Sequence, residues 1–453
     1  MKEYDLIIFG AGSGGYEAML HAKRYGMHVA MIDISEKTIG GNCLNRGCIP
    51  SKYMRFGAKL REHLSRGIRY GIKIDAQQID WLSFKEHRDS VVTDIRESFK
   101  AYAKSLKVDI YYGKGRFKDN NTVETTKGDV IRGKYILLST GSSVASILQY
   151  DKTKFKIYNT DTIWGITERP KSVLIVGAGV VGVEFAYIFR MYDIDVYLID
   201  ISRRIIPTES EDSASYLSKK LKNLGVKIFT SNTIINLEEE NGVRKAILKD
   251  GTVLEYDIIL EAVGRVPNTK DIGIENTDIA LNEKGFVKID EYARTSVPHI
   301  YACGDVTSSL MLAHKSMYEG RTAVAHINSD AEKLDYRLVP KIIYSAHEIA
   351  SFGINIDQAE DMELDYEVGT ATFPKNPKAI IDDEPEGYAK VIYDANTKEI
   401  LGAEILGPQA GELIHQVVHV VKAGKDVEFL SRCMYTHPSL SETVIMSVQK
   451  KLL

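Results

Sequence analysis

Short apolar runs alternate with glycine turns and helical patterns along this chain, and twice they do so in the same order. Tyr4-Asp-Leu-Ile-Ile-Phe9 reads as a buried strand running straight into Gly10-Ala-Gly12-Ser-Gly-Gly15, and the next apolar run, Val29-Ala-Met-Ile32, ends in Asp33. Farther on, Ser172-Val-Leu-Ile-Val176 leads into Gly177-Ala-Gly179-Val-Val-Gly182, and Val196-Tyr-Leu-Ile199 ends in Asp200. Asp200 lies 23 residues after Gly177, as Asp33 lies 23 after Gly10. Strand, glycine turn, helix and a second strand closed by a carboxylate make a dinucleotide-binding βαβ unit. The glycines let backbone N–H groups and a helix N-terminus approach a pyrophosphate, while the carboxylate accepts ribose hydroxyls. A lone glycine loop is often only a tight turn; two copies with one internal spacing predict two nucleotide sites.

Between the units, Val92, Ile95, Phe99, Tyr102 and Leu106 recur at helical spacing and predict a long amphipathic helix used for core or interdomain packing. Residues 366–372, 387–393 and 399–406 alternate as antiparallel strands, and 412–423 form an amphipathic helix closed by Gly424. The expected fold class is α/β, with two Rossmann-like dinucleotide-binding domains and a C-terminal α+β domain. His415 and His419 stand at i, i+4 on the last helix, but with no third ligand they read as interface or solvated residues, and no metal is expected.

Composition narrows the setting without deciding the chemistry. A chain of 453 residues, 44% hydrophobic, is long enough for about three domains with substantial cores. A net charge of −4 argues against nucleic acid or an anionic membrane as the main partner. No apolar run approaches the roughly 20 residues of a membrane span. The first strand starts at Tyr4, so neither a signal nor a transit peptide is expected. Four cysteines, two of them close together, fit a reducing, cytoplasmic setting in which Cys303 and Cys433 need not pair.

The close pair lies in Gly40-Gly-Asn-Cys43-Leu-Asn-Arg-Gly-Cys48-Ile-Pro-Ser-Lys52. Zinc pairs usually sit two to four apart and need a second pair, which this chain lacks. If the segment is helical, the spacing spans roughly 7.5 Å of rise, beyond a relaxed disulfide, so the helix must be distorted. Strained, accessible disulfides are the reactive ones. A redox pair just after the first nucleotide unit, with a second unit downstream, suggests a relay between nicotinamide, flavin and dithiol.

With these motifs the whole chain resembles the class I flavoprotein disulfide reductases, and within them the dihydrolipoamide dehydrogenases. Leu137-Leu-Ser-Thr140-Gly141-Ser142 is similar to the family's exit from its first domain, and Ala262-Val-Gly264-Arg265-Val-Pro-Asn268 to the exit from its second. Ile300-Tyr-Ala-Cys-Gly304-Asp305 resembles the segment whose Asp holds the flavin's ribityl chain, and Met311-Leu-Ala-His314-Lys315 resembles the sub-family's own marker. Thr436-His437-Pro438-Ser-Leu-Ser-Glu442 resembles a His–Glu dyad that completes the partner subunit's site, although Ser439 to Glu442 also fits a helix capping box. Lys52 and Glu184 resemble the family's ion pair beside the flavin ring.

The resemblance implies an FAD domain at 1–143, an NAD domain at 144–268, a central segment at 269–339 completing the FAD site, and a dimerisation domain at 340–453. It implies FAD contacts at Gly10, Gly12, Gly15, Asp33, Gly41, Lys52, Gly115, Thr140, Gly141, Ser142, Asp305, Met311, Leu312, Ala313 and His314. NAD contacts are implied at Gly177, Gly179, Gly182, Glu184, Asp200, Ile234, Gly264 and Arg265. Catalysis falls to Cys43, Cys48, His437, Glu442, Lys52 and Glu184 in a homodimer. The implied reaction is oxidation of dihydrolipoamide on a lipoyl-bearing acyltransferase or carrier of a 2-oxoacid dehydrogenase or glycine cleavage complex, with hydride passed to NAD⁺. Asp200 suits the free 2′-hydroxyl of NAD, and Ile201 occupies the place where NADPH enzymes of the family carry a phosphate-binding arginine, although Arg203 and Arg204 follow closely. Asn42 stands where the family has Thr, and His347-Glu348 where it has Pro-Glu; these departures leave open another NAD(P)H-dependent disulfide reductase. A non-catalytic NADH-sensing flavoprotein is the alternative from another class, and it has no need to keep Cys43, Cys48 and His437 together.

Overall fold

The computed structural model describes residues 1–73 and 78–452, with side chains through Gln449. Strand β1 (Lys2–Phe9) ends in the first glycine loop, which opens helix α1 (Ser13–Arg24); β2 (Val29–Asp33) lies parallel beside β1. Leu6, Ile7 and Ile8 of β1 are all fully buried, the signature of a strand covered on both faces. Then come α2 (Gly41–Arg46), α3 (Cys48–Ser65) and α4 (Trp81–Ser105), followed by β3 (Asp109–Tyr112), β4 (Gly115–Phe117), β5 (Thr122–Thr125) and β6 (Val130–Leu138). The sheet order is β3-β2-β1-β6-β5-β4, and the distant strand Ile300–Ala302 joins it in parallel on β6. That pairing returns Asp305 to the first nucleotide unit.

The amphipathic pattern around residue 99 is helix α4, started by Asp80, whose carboxylate accepts the Ser83 N–H at 2.9 Å. Val92 is buried and Phe99 stacks on Tyr16 of α1 at 3.9 Å, whereas Tyr102 is half exposed and leaves the predicted stripe. Helix α1 is also covered by α7 (Ala313–Ile327), and glycine makes the contact possible: a Cβ on Gly320 would lie 2.5 Å from the Gly14 carbonyl oxygen.

A short ribbon of β7 (Ser142–Val144) against Arg265–Pro267 links the two nucleotide units. The second unit holds β8 (Ile157–Asn159), β9 (Ser172–Val176), helix α5 (Val180–Met191), β10 (Asp195–Ile199), helix α6 (Glu211–Asn223) and β11 (Lys227–Phe229). Its parallel sheet runs β11-β10-β9, then Ile258–Glu261, then β8. An antiparallel meander, Ile234–Glu240, Val243–Leu248 and Val253–Tyr256, is inserted before Ile258. The C-terminal sheet is antiparallel, in the order Lys341–Tyr344, Glu348–Gly353, Ile400–Gly407, Tyr388–Asp394, Tyr366–Thr372. The helix Ala410–Lys422 covers it with Leu413, Ile414 and Val417 and ends at Gly424, whose φ is +66°.

One hydrophobic core runs across these regions, since Met54 and Ala58 of α3, Phe185 to Phe189 of α5, and Ile343, Ile349 and Leu406 of the C-terminal sheet share it. At its rim the His347 departure finds its partner. His347 Nε2 lies 2.7 Å from Glu386 Oε2, which also takes Lys220 of α6 at 2.9 Å. The His347 hydrogen bond, then the one from Lys220, pulls the Glu386 carboxyl down to about 2 from 4.5. A carboxyl depressed in the folded state adds stability above its unfolded pKa and loses it as pH falls toward the folded one. Glu386 is half exposed, so screening keeps the gain modest. Glu386→Gln should therefore melt below wild type at pH 7, and the difference should close as pH falls from 4.5 toward 2; thermal unfolding across that window checks it, and a constant difference contradicts it.

Candidate redox site

The cysteine segment is helical but not one helix. α2 ends at Arg46 and α3 begins at Cys48, with Gly47 between them at φ −125°, ψ −107°. The axial separation that a continuous helix would impose is removed by this break, and the two sulphurs meet. The two half-buried cysteines lie side by side, close enough for one thiol to hydrogen-bond the other. The hydrogen bond makes them unequal: Cys43, as donor, has its pKa raised, and Cys48, as acceptor, has its pKa lowered, first by that bond and then by Lys52. Of the two sulphurs, Cys48 is the one whose surroundings favour the thiolate, the more reactive state of sulphur.

One helical turn on, Lys52 Nζ meets Glu184 Oε2 of α5 at 2.7 Å, and Glu184 Oε1 accepts the Tyr344 N–H at 2.9 Å. Redox segment, second nucleotide unit and C-terminal sheet therefore converge on one ion pair.

The two glycine loops are built alike. Asp33 Oδ2 accepts the Ala11 N–H at 2.8 Å and Asp200 Oδ2 accepts the Ala178 N–H at 2.6 Å, so each strand-end carboxylate also braces its own loop. Gly10 and Gly177 have φ of +116° and +103°, and a Cβ on either would strike a neighbouring carbonyl oxygen. Gly15 and Gly182 close the loops, their Cβ positions lying against the carbonyls of Gly10 and Gly177. Gly12 and Gly179 differ: both have ordinary negative φ, and a Cβ would meet nothing closer than 3.8 Å at Gly12 and nothing within 4 Å at Gly179. Neither packing nor backbone strain asks for glycine there; an approaching ligand does. The residues present fit two dinucleotides. Gly41, with φ of +64°, presses the cysteine segment onto Gly12.

Around the first loop, Ser142 donates to Asp305 Oδ2 at 2.6 Å, accepts from Arg265 Nε at 2.8 Å, and gives its carbonyl to Asn42 Nδ2 at 3.0 Å. Arg265, expected on NAD, also reaches Asp161 at 3.4 Å and so joins the ribbon between the units. Thr140 spends its hydroxyl on the Asn268 carbonyl at 2.8 Å. Gly141 and Gly264 have open space at their Cβ positions, but Gly115 makes room for the Phe9 ring, 2.5 Å from its Cβ position. Ile234 packs half-buried with Leu237 and Leu248 in the meander. Arg204 donates to the Glu209 carbonyl at 2.9 Å. Met311 and Leu312 are half-buried ahead of Ala313, the first residue of α7, and His314 Nε2 reaches the Pro340 carbonyl at 2.6 Å.

His437 and Glu442 form the expected dyad, Nδ1 to Oε1 at 2.9 Å, and that bond is the main cause holding the Glu442 carboxyl below its usual range. Glu442 Oε2 accepts the Ser439 N–H at 2.8 Å, yet the Ser439 hydroxyl has no partner, so the reciprocal capping box does not form. His437 is largely exposed, and its Nε2 has no partner among the described residues.

A model of the family described as "Pyridine nucleotide-disulphide oxidoreductase" matches residues 4–320, and the dimerisation domain of the same family matches 339–448. The chain belongs to this family. Its cofactors are FAD and NAD(H). It is 31% identical to a dihydrolipoyl dehydrogenase of Chlamydia pneumoniae over 97% of this chain and 95% of that one. Among solved structures it is similar to RclA, a HOCl-induced flavoprotein disulfide reductase of Escherichia coli solved as a Cu(II) complex, at 25% identity and a TM-score of 0.89 over all of both chains. LpdA of Mycobacterium tuberculosis shares the fold at 23% identity and a TM-score of 0.91, again over all of both chains. No helix among the described residues is long and apolar enough to cross a membrane.

Sequence reasoning missed what holds the Asp305 turn of this oxidoreductase. Lys315 and Glu319 of α7 are fully buried, 3.2 Å apart; Lys315 donates to the Gly304 carbonyl and Thr307 at 3.0 Å, and Glu319 accepts the Gly304 N–H at 2.7 Å. Their i, i+4 spacing was visible but equally describes a surface pair. Lys315→Met leaves a buried carboxylate unpaired and should cost about 3–5 kcal/mol in urea unfolding, whereas adding Glu319→Leu should recover much of it. A single variant as stable as wild type would contradict this account.

Proposed function

We propose that this oxidoreductase oxidises dihydrolipoamide carried by a lipoyl-bearing acyltransferase or lipoyl carrier and reduces NAD⁺, as a homodimer. The observation that carries the substrate is the near-full-length likeness to a protein named dihydrolipoyl dehydrogenase. The marker Met311-Leu-Ala-His314-Lys315 at the head of α7 supports it. RclA, similar over the whole chain, and the Asn42 and His347 departures support a second reading, a reductase for another disulfide.

In the working cycle the oxidised Cys43–Cys48 pair meets one thiol of dihydrolipoamide, and the partner subunit's His437 takes its proton at Nε2. Glu442 holds the ring through Nδ1 and stabilises its cation. The thiolate attacks Cys43 Sγ, the Cys43–Cys48 bond breaks, and Cys48 leaves as the thiolate that its surroundings favour. The second lipoyl thiol then attacks the lipoyl sulphur of the mixed disulfide; Cys43 leaves and takes that thiol's proton, lipoamide is released, and the cysteine pair is left reduced. When bound, FAD and NAD⁺ supply the acceptor for that electron pair, which ends as hydride on the nicotinamide. Lys52, held by Glu184, offers positive charge where negative charge accumulates.

Two features support pairing of copies. His437 is exposed rather than enclosed, α3 leaves Phe56, Leu60 and Leu64 exposed, and Ile380 and Ile381 of the dimerisation domain are exposed as well. Purified enzyme offered dihydrolipoamide, reduced glutathione and coenzyme A, with NAD⁺ reduction followed at 340 nm, should favour dihydrolipoamide by at least about 100-fold in kcat/KM, or about 2.7 kcal/mol. Preference for another thiol selects the second reading. For the shared site, a mixed dimer of a Cys43→Ser chain and a His437→Ala chain gathers both lesions into one site and leaves the other whole. Random reassortment of equal amounts should restore about a quarter of wild-type sites. No recovery in mixed dimers verified by mass would end the shared-site model.

A further inference from the structure

The ion pair beside the cysteines has a third member. Tyr344, the last residue of Lys341–Tyr344, places its ring under Lys52 Nζ, 4.4 Å from the centroid, and under the Arg55 guanidinium at 5.1 Å. Its backbone N–H holds Glu184 Oε1 at 2.9 Å, while Glu184 Oε2 holds Lys52 at 2.7 Å. One residue of the C-terminal sheet thus touches both halves of the pair, the ammonium through a π face and the carboxylate through the backbone.

The ring is itself fixed. Arg55 is anchored by Glu348 at 2.9 Å across the Tyr344–Glu348 turn, Glu348 also accepts the Gly411 N–H at 3.1 Å, and Ser345 Oγ donates to the Val183 carbonyl at 2.8 Å. Lys52 keeps about a third of its side-chain surface exposed, so Glu184 alone leaves its flexible stem other positions. A π face contributes about 0.5–1 kcal/mol at an exposed site and more where water is excluded, and it acts on where the charge sits.

We propose that Tyr344 is a positioning residue for electron transfer: its ring holds the Lys52 ammonium toward the flavin, so that the C-terminal domain sets how strongly reduced FAD is stabilised. This rests on the flavoprotein reading of the site, not on the choice of dihydrolipoamide. Loss of the ring frees and hydrates the ammonium, weakens its field at the flavin and makes reduction harder. Tyr344→Phe keeps the face and the backbone N–H; Tyr344→Leu keeps only the backbone.

The test is the flavin's midpoint potential in FAD-loaded dimers, measured against reporter dyes with no disulfide substrate, so a wrong substrate assignment does not affect it. Holding Cys43→Ser/Cys48→Ser in the background removes the thiol couple. Tyr344→Leu should shift the oxidised-to-reduced equilibrium about fivefold toward the oxidised form, about 20 mV at about 30 mV per tenfold for two electrons, and Tyr344→Phe should match the parent. In a Lys52→Met background, Tyr344→Leu should add no further shift, because its effect passes through the ammonium. An unchanged potential in Tyr344→Leu, an equal shift in Tyr344→Phe, or a full shift without Lys52 each overturns the proposal. FAD content and dimer mass, measured on the same samples, identify any variant that failed to assemble; for such a variant Tyr344→Met, which fills the space without a π face, takes the place of Leu and must show the same shift.

Discussion

The 2.7 Å contact between Lys52 and Glu184 is where the molecule's separate parts are forced into one arrangement. Lys52 is fixed in sequence one turn beyond Cys48, and Glu184 two residues beyond the second glycine loop. Neither charge is fully hydrated, so each needs the other, and separating α3 from α5 would leave a half-buried charge without its partner. The common core beneath, with Met54 and Ala58 against Phe185 and Phe189, makes the approach of the two helices favourable as well as necessary.

That constraint gives the redox segment its direction. With Lys52 held, α3 points its N-terminus at Cys48, and the break at Gly47 turns Cys43 back onto it. Cys48, accepting the hydrogen bond and feeling Lys52, has its pKa lowered while that of Cys43 is raised, the inequality that the proposed cycle uses. The asymmetry lies in the environment of two chemically identical side chains. The Asp305 turn, pinned by Lys315 and Glu319, and the Ser142–Arg265 contact join the first nucleotide unit to the second on the other side.

Much of this was legible along the chain. Both glycine loops, the carboxylates at Asp33 and Asp200, the cysteine pair and the His437–Glu442 dyad are local in sequence, and local spacing largely fixes their geometry. Arg265 and Ile234, expected at the NAD site, also make contacts that their motifs do not announce, with Ser142 and the meander core, because a residue next to a motif can serve the packing that carries it. His347 was visible as a departure, but its partner Glu386 lies 39 residues on and nothing near either residue announces the pairing.

The sequence by itself determined the two βαβ units, the redox pair and the class of chemistry, since backbone freedom at glycine and the reactivity of thiols are properties of residues and short spacings. The tertiary structure decided which sulphur has its pKa lowered, which lysine is buried and which tyrosine meets Lys52. The last is a contact between segments more than 100 residues apart, as is Lys52 with Glu184, and the first two depend on the exclusion of water around neighbouring groups, which no local pattern encodes.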